Sequence, residues 1–271
     1  MKKIKYIVDS FKRKYLIPIY KISNNDLLHD KVALVVGGSG GIGFAIAKKF
    51  IANGCKVIIA GTNPNKLEEL KSKINDCNTL VVNLLDIKNI DSVINNAFAV
   101  YGRIDILVMS SGIHTVRPNF NFLNVSEDEY DAVMDVNIKG TFFTCQTVAK
   151  KMIDCKINGH ILIISSQSAL EPSWSPYRLS KRALSGMIQG LGQALLPYNI
   201  IVNAIGPGPT ATSMQICYEN NNIETNDNPI GRFTMPEEIA EYALLMASQL
   251  GDTIVGDTLY MSGGRGIIEI R

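Results

Sequence analysis

The chain has 271 residues, of which 46% are hydrophobic and 19% charged, so it can bury a large core and is neither disordered nor fibrous. No apolar run approaches the roughly 20 residues that cross a bilayer, and charges interrupt the N-terminus, so we expect a cytoplasmic protein without a membrane span or signal peptide. The net charge is +2 and the five cysteines are scattered, which gives no reason to expect nucleic acid, a disulfide framework or a metal site.

The N-terminal segment differs from the rest of the chain in charge. Residues 1–21 carry seven lysines or arginines against one aspartate, so the remainder is mildly acidic. Apolar residues recur with helical spacing at Ile4, Ile7, Val8, Phe11 and Tyr15. We therefore predict a basic amphipathic extension at residues 1–27, ahead of one domain at residues 28–271. Such a helix packs on its own domain or a sister subunit, or makes peripheral contact with an anionic membrane through residues 1–21.

After Asp30, short β-rich runs alternate with helical stretches. The predicted strands are Val32–Val36, Lys56–Ala60, Thr79–Asn83, Ile104–Met109, His160–Ser165, Ile200–Ile205 and Thr258–Met261. The predicted helices are Ile42–Asn53, Pro64–Ile74, Ile90–Tyr101, Glu127–Ile153, Pro176–Leu196 and Pro236–Ser248. The first six strands are continuously apolar, as expected for burial on both faces. The alternation predicts an α/β Rossmann fold, a doubly wound seven-stranded parallel sheet with helices on both faces.

A glycine-rich turn follows the first predicted strand directly and leads into the first predicted helix. Its sequence is Gly37-Gly38-Ser39-Gly40-Gly41-Ile42-Gly43. Glycines let the backbone turn tightly and approach a pyrophosphate, while the free N–H groups at the helix start favour its negative charge. Between a strand and a helix, this turn predicts dinucleotide binding rather than a purely conformational need for glycine.

Five segments occur in an order that resembles one protein family. They are Gly37-x-x-x-Gly41-x-Gly43, Val136-Asn137-Ile138-Lys139-Gly140, the strand-ending pair Ser165-Ser166, Tyr177-Arg178-Leu179-Ser180-Lys181, and Asn203-Ala204-Ile205-Gly206-Pro207-Gly208 with Thr212. The set is similar to the classical short-chain dehydrogenase/reductase (SDR) family over residues 28–266. The resemblance implies an NAD(P)-dependent enzyme that interconverts a carbonyl and an alcohol by hydride transfer, with a small-molecule substrate and a Rossmann-fold catalytic domain at residues 28–271.

The resemblance assigns catalysis to Asn137, Ser166, Tyr177 and Lys181. Tyr177 is the candidate general acid and base, Ser166 stabilises the substrate oxygen, and Asn137 holds a relay water. A free phenol titrates near pH ~10, so Tyr177 needs a positive neighbour to exchange protons at neutral pH. Lys181 lies one helical turn further on and is expected to lower that pKa. The resemblance also implies that Lys181 holds the nicotinamide ribose.

The resemblance also implies a set of cofactor-binding residues. They are Gly37, Ser39, Gly40, Gly41, Ile42, Gly43, Thr62, Asn63, Asp86, Ile87, Ser111, Gly112, Tyr177, Lys181, Pro207, Gly208 and Thr212. Thr62 follows the second strand, where a carboxylate would bond a ribose 2′-hydroxyl and an arginine a 2′-phosphate. Without a carboxylate to repel a phosphate, and with Lys66 nearby, the sequence favours NADP slightly and leaves NAD open. Asp86 resembles the family's adenine contact, or caps the helix that follows.

The chain departs from the family pattern in two places. Ser166 and Tyr177 are about two residues closer in sequence than in many relatives, which leaves Ser165 as an alternative to Ser166. Met109-Ser110-Ser111-Gly112 stands where the family usually has Asn-Asn-Ala-Gly, a change in a sheet-stabilising element. His114 is interpreted as a loop residue, and Trp174 as part of the substrate-pocket wall.

Three functions are compatible with these residues. The first is a reductase similar to 3-oxoacyl-acyl-carrier-protein reductases and related carbonyl reductases. The second is a tailoring enzyme for a sugar, polyol or surface-polymer precursor, held near the membrane by the basic tail. The third, of another class, is an NAD(P)-binding scaffold without turnover. The resemblance further implies a homotetramer or homodimer formed through the helix pairs 127–153 and 176–196.

Overall fold

The computed structural model describes residues 26–74, 77–212 and 223–266. Its strands are β1 (Val32–Val36), β2 (Lys56–Gly61), β3 (Cys77–Val81), β4 (Ile106–Met109), β5 (Gly159–Ile164), β6 (Ile200–Pro207) and β7 (Thr258–Met261). Its α-helices are α1 (Gly41–Ile51), α2 (Pro64–Lys73), α3 (Ile90–Tyr101), α4 (Glu127–Met134), α5 (Thr141–Asp154), α6 (Pro176–Leu195) and α7 (Pro236–Met246). Neighbouring strands all pair in parallel, in the order β3-β2-β1-β4-β5-β6-β7, which confirms the predicted doubly wound sheet.

The sheet is buried on both faces. Successive side chains of a strand point to opposite sides of the sheet, so each strand contributes to both buried faces. All five residues of β1 are buried. Leu34 belongs to a core that includes Met152 of α5, whereas its neighbour Val35 belongs to a core with Phe50 of α1 and Ile239 of α7. The continuous apolar runs in the sequence therefore supply both cores at once, and the helices cover both faces of the sheet.

Capping side chains fix where two of the helices near the predicted site begin. Asn63 Oδ1 accepts a hydrogen bond from the backbone N–H of Lys66 at the start of α2, at 3.2 Å. Ser175 Oγ accepts one from the backbone N–H of Arg178 at the start of α6, at 3.3 Å. Each cap is followed by a proline at the first helical position, where the missing N–H costs nothing. The cap at Ser175 places Tyr177 in the first turn of α6.

Most predicted elements agree with the structure to within two residues at each end, and two differ more in their placement or continuity. The third strand spans Cys77–Val81 rather than Thr79–Asn83, because its partner β2 ends at Gly61, which pairs with Val81. The predicted helix at residues 127–153 is divided by a π-helical turn at Asp135–Gly140. One extra residue in that turn shifts the helical register between α4 and α5.

The predicted amphipathic helix and its membrane contact fall in residues 1–25, outside the described residues. In the part of the chain that is described, no helix combines the length and the apolar character that a membrane crossing needs.

Candidate active site

The predicted site residues meet at the carboxyl edge of the sheet, the edge at which parallel α/β sheets bind ligands. In strand order they are the glycine turn after β1, Thr62 and Asn63 after β2, Asp86 and Ile87 after β3, Ser111 and Gly112 after β4, Ser166 after β5, and Pro207 and Gly208 at the end of β6. Tyr177 and Lys181 are contributed by α6, and Asn137 by the π-helical turn.

The glycine turn packs too closely against its surroundings to carry side chains. Gly37 has φ +80°, and a Cβ on it would lie 2.6 Å from the backbone nitrogen of Ser111. A Cβ on Gly43 would meet the carbonyl oxygen of Gly37, and one on Gly41 would lie 2.7 Å from Cγ2 of Thr212. Glycine at these positions therefore brings the turn against the loop after β4 and against Thr212.

The start of α1 presents backbone N–H groups that are available to a ligand. Among the described residues no side chain caps this helix at Gly40, and its first turn contains no acidic residue. Free N–H groups and the positive end of the helix dipole attract a phosphate. Together with a cradle that Cβ atoms would fill, they fit the pyrophosphate of a nicotinamide dinucleotide.

The positions that would distinguish NADP from NAD are exposed and carry no carboxylate. Thr62 and Asn63 follow β2, and Ser39 lies beside them, because a Cβ on Gly61 would be 2.8 Å from Ser39 Oγ. The oxygen of Asn63 is occupied by the helix cap described above, which leaves its amide N–H groups as donors. The structure therefore places hydroxyl and amide donors, and no acid, at the end of β2.

Asp86 lies at the same edge but does not cap the turn that follows it. Its Oδ2 accepts a hydrogen bond from Asn89 Nδ2 at 2.6 Å, and its side chain is exposed. The capping interpretation of Asp86 was therefore wrong, and its contact with an adenine stays a prediction.

A cavity of about 250 Å³ opens beside the glycine turn and has Ser166 and Tyr177 in its wall. Ser166 lies in the same wall as Tyr177, where its side chain lowers the pKa of the phenol, and its Oγ accepts a hydrogen bond from the backbone N–H of Ser168 at 3.1 Å. Ser165 also lines the cavity, but its hydroxyl has no hydrogen-bond partner among the described residues. Of the two adjacent serines, Ser166 is the one that is joined to Tyr177.

Lys181 is buried one turn beyond Tyr177. Its Nζ donates to the carbonyl oxygen of Ile164, the last residue of β5, at 3.1 Å, and lies 5.6 Å from the centre of the Tyr177 ring. Burial lowers the pKa of Lys181 from 10.5 to about 8. The ammonium is thus held between the end of β5 and the phenol ring.

Asn137 is buried in the π-helical turn and links this turn to α6. Its Oδ1 accepts from the backbone N–H of Ile113 at 2.9 Å, while Nδ2 donates to Ile113 O and to Ser180 Oγ, each at 3.0 Å. A Cβ on Gly112 would lie 3.4 Å from Lys181 Nζ and 3.5 Å from Asn137 Oδ1. Gly112 therefore leaves open the space that separates Asn137 from Lys181.

The surroundings of Tyr177 keep its phenol protonated at neutral pH. Burial raises the pKa of Tyr177, the hydrogen bond from Ser166 lowers it, and the negative charge of Glu171 raises it. Lys181 is not among the groups that set this pKa in the structure, so its predicted effect on Tyr177 stays a prediction. A protonated phenol in a cavity wall is a proton donor.

Of two aromatic residues near the cavity, one lines the cavity wall and the other packs elsewhere. The His114 ring lies 5.5 Å from that of Tyr177 and lines the cavity, and burial lowers the pKa of His114. Trp174, which we expected in the pocket wall, packs against Phe120 at a ring distance of 5.5 Å and is 39% exposed. His114, predicted as a loop residue, thus lies in the cavity wall beside Tyr177, whereas Trp174 is not among the residues that line this cavity.

The sequence matches the family model for short chain dehydrogenases over residues 31–222. The chain belongs to this family. It is therefore an oxidoreductase that binds NAD(P) and acts on the carbonyl or alcohol group of a small molecule, as the sequence motifs predicted.

The relatives that this short-chain dehydrogenase matches are named for different activities. It is 34% identical to a 3alpha-hydroxysteroid dehydrogenase of Mediterraneibacter gnavus, over 88% of this chain and 97% of the relative. It is 33% identical to a 3-oxoacyl-acyl-carrier-protein reductase of Aquifex aeolicus, over 88% of this chain and 98% of the relative. A 3-ketoacyl-(acyl-carrier-protein) reductase from Brucella melitensis, solved with NADH, has a TM-score of 0.79 at 26% identity and covers 89% of this chain and all of its own.

Two charged residues at the cavity of this short-chain dehydrogenase, Arg265 and Glu171, were not predicted from the sequence. Arg265 lines the cavity, and its Nε donates to Glu171 Oε1 at 3.0 Å. The two residues are far apart in sequence, and Arg265 follows the last strand in a glycine-rich turn. The cluster Gly263-Gly264-Arg265-Gly266 was the available signal, since a cation between glycines at the end of a parallel strand lies at the ligand-binding edge.

Proposed function

We propose that the enzyme reduces a ketone to a secondary alcohol, with Tyr177 as the proton donor, and runs the reverse reaction with Tyr177 as the base. The observation that carries this proposal is the phenol of Tyr177, protonated and beside Ser166, in the wall of a cavity next to the glycine turn. A bound nicotinamide supplies or accepts the hydride. The remaining groups of the site act on protons and charge.

Ser166 and Tyr177 act together on the substrate oxygen. As the carbonyl carbon gains hydride, its oxygen gains negative charge, and two hydroxyl donors stabilise that charge. Tyr177 then transfers its proton to the oxygen and becomes a phenolate. The N–H of Ser168 holds Ser166 Oγ in place, and the hydroxyl hydrogen stays free to turn toward the substrate oxygen.

Lys181 stabilises the phenolate that this step produces. The ammonium is buried against the Tyr177 ring, where its attraction for a phenolate is weakly screened. The three donors of Nζ include one bonded to Ile164 O, so two stay available for the cofactor ribose and a water. The position of Lys181 therefore suits both roles that the family resemblance implies.

Asn137 holds a relay water through an oxygen. Both N–H groups of its amide are engaged with Ile113 and Ser180, so a water can only donate to Asn137 Oδ1 or to its main-chain carbonyl. The space that Gly112 leaves beside Lys181 is where such a water would connect the two side chains.

The cofactor-binding residues predicted from the sequence hold the dinucleotide along the carboxyl edge of the sheet, and we propose that they prefer NADP. The donors of Ser39, Thr62 and Asn63, with no carboxylate among them, support a site for the 2′-phosphate at the end of β2.

Replacing Thr62 with aspartate is expected to weaken NADPH binding roughly 100-fold, because the carboxylate repels the 2′-phosphate, while NADH binding is kept or improved. Calorimetric titration of both nucleotides measures this directly. Thr62→Ser keeps the hydroxyl and is expected to bind both nucleotides as the wild type does. Equal NADPH affinity in Thr62→Asp and the wild type would remove Thr62 from the 2′-phosphate site.

The experiment that tests the proposed function begins with nucleotide titration and continues with a panel of carbonyl compounds. The panel contains 3-oxoacyl thioesters, steroid ketones, keto sugars, keto acids and simple ketones, because the relatives named above act on more than one class. Loss of nicotinamide absorbance with one class of compound supports a reductase and identifies its substrate. Tight nucleotide binding without turnover of any class supports the alternative of a non-catalytic scaffold. Turnover of keto sugars alone supports the tailoring enzyme, whose membrane contact concerns residues outside the described part.

We also propose that α5 and α6 form a contact between subunits of a homodimer or homotetramer. Phe142 and Phe143 at the start of α5 are 40% and 36% exposed and pack edge to face, with ring centres 5.4 Å apart. Beside them a cavity of about 140 Å³ is lined mainly by apolar parts of α5 and α6, including Leu191 and Leu195. Exposed aromatic pairs next to an apolar depression are typical of protein interfaces.

Replacing Phe142 with glutamate is expected to convert the oligomer to a monomer, because a charge would be buried in the apolar contact. Sedimentation velocity at micromolar concentration measures the particle mass. Val81→Glu, at an apolar residue of the edge strand β3 that is 51% exposed, is the matched control and should sediment as the wild type. A wild-type particle of 29.7 kDa would contradict the oligomer itself.

A further inference from the structure

Arg265 shares the wall of the active-site cavity with Ser166 and Tyr177. It lies in the turn that follows β7, and this turn packs against the segment after β5, since a Cβ on Gly266 would lie 3.5 Å from Gln167 Oε1. The fold thus brings a cation from near the C-terminus to the reacting end of the site. The proposed chemistry gives this cation no role.

Glu171 anchors the guanidinium of Arg265 by one edge. Arg265 Nε donates to Glu171 Oε1 at 3.0 Å, and Gln167 Nε2 donates to the same oxygen at 3.1 Å. Arg178 Nη2 pairs with the other carboxylate oxygen at 2.9 Å. The two terminal nitrogens of Arg265 have no hydrogen-bond partner within the described ranges. Since a guanidinium carries five N–H donors in one plane, the anchored side chain presents a rigid, unused pair of donors.

The charge around the cavity is not balanced. Arg178 and Arg265 share the single carboxylate of Glu171, so one positive charge is left over. The cavity-lining residues that the structure describes include no aspartate or glutamate, and burial lowers the pKa of His114, which is neutral at neutral pH. Ser165 adds a hydroxyl without a partner among these residues. This wall suits an anion with oxygen acceptors.

We propose that Arg265 binds a carboxylate on the substrate, so that the enzyme reduces a keto acid and oxidises the corresponding hydroxy acid. This inference rests on the proposed function, because it takes the cavity of Tyr177 as the place where the carbonyl reacts. Arg265 is then a specificity-determining residue: it anchors the carboxylate while Ser166 and Tyr177 hold the carbonyl oxygen. Glu171 fixes the guanidinium in the orientation that this contact needs.

The test compares keto acids of four to eight carbons with their methyl esters, using the wild type, Arg265→Met and Arg265→Lys. The wild type is expected to prefer each acid over its ester. Arg265→Met should raise KM for the acids roughly 10- to 100-fold and leave the esters and nucleotide affinity unchanged, since a charge-assisted hydrogen bond is lost. Arg265→Lys keeps the charge without the planar donors, so its KM for the acids should lie between those of the wild type and Arg265→Met. Lys71→Met, which removes one exposed cation from α2, is the matched control.

Several outcomes overturn the inference, and they are distinct from failure of the proposed function. Equal wild-type turnover of acids and esters, or turnover of esters alone, would show that the carboxylate is not recognised. If Arg265→Met lost activity equally on acids and on esters, Arg265 would instead have a structural role in holding the turn after β7. Weaker nucleotide binding in that variant would assign Arg265 to the cofactor. A wild type that binds nucleotide and reduces no carbonyl compound would instead refute the proposed function.

Discussion

The Tyr177→Phe variant is expected to lose roughly two to four orders of magnitude in kcat while it binds nucleotide as tightly as the wild type. Phenylalanine keeps the ring and its contact with His114, so the cavity is preserved. It lacks the hydroxyl that would deliver the proton to the substrate oxygen. Steady-state kinetics and calorimetric titration of the same preparation separate the two effects.

The control for this variant is Tyr242→Phe, which removes a hydroxyl from α7, where the side chain is 46% exposed. It is expected to behave as the wild type in both measurements. If Tyr177→Phe retained full kcat, another group would have to supply the proton, and the assignment of Tyr177 would be wrong. A variant that lost nucleotide affinity as well would show a structural effect on the cofactor site.

Replacing Lys181 with methionine is expected to lower kcat roughly 10²- to 10⁴-fold and, at pH 7, to stabilise the fold. The folded protein pays for burying an ammonium, because burial lowers the pKa of Lys181 from 10.5 to about 8. That difference corresponds to about 3 kcal/mol against the charged form in the folded protein. Methionine fills a similar volume without a charge, so the Lys181→Met variant avoids this cost. Lys181 therefore serves the reaction at the expense of the free energy of unfolding.

The stability difference has a defined pH dependence. Between pH 8 and 10.5 the unfolded wild type binds more protons at Lys181 than the folded wild type, so wild-type stability rises across this window. The advantage of Lys181→Met is therefore full below pH 8 and shrinks as the pH approaches 10.5. Chemical unfolding at several pH values measures it, with Lys71→Met as a control whose difference from the wild type should not follow this curve. A Lys181→Met variant that is less stable at every pH would contradict the account of a desolvated ammonium.

Much of the fold follows from local sequence patterns. The β-branched runs predicted the sheet because a strand buried on both faces cannot alternate, as Val32–Val36 shows. The glycine turn was predictable because Gly37 needs a positive φ and Gly43 a close approach of the backbone. The position of Lys181 relative to Tyr177 follows from the period of one helix. These properties depend on residues that are neighbours in sequence.

The parts that were not predicted depend on contacts between distant segments. The end of β3 is set by the length of β2, and the π-helical turn around Asn137 leaves no mark in the apolar pattern. The ion pair between Glu171 and Arg265 joins residues whose proximity depends on the packing of the turns after β5 and β7. The sequence also gave no means of predicting that His114 would lie against Tyr177.

Transfer of a label from the nicotinamide to a carbonyl carbon tests the central claim most directly. NADPH and NADH carrying deuterium at either position of the nicotinamide C4 are mixed with the enzyme and the carbonyl panel, and the products are analysed by mass spectrometry. We predict an alcohol with one deuterium on the former carbonyl carbon, from one of the two labelled positions, and a loss of this product in Tyr177→Phe. Tight binding of nucleotide with no deuterium in any product would contradict the assignment of this site as a carbonyl reductase.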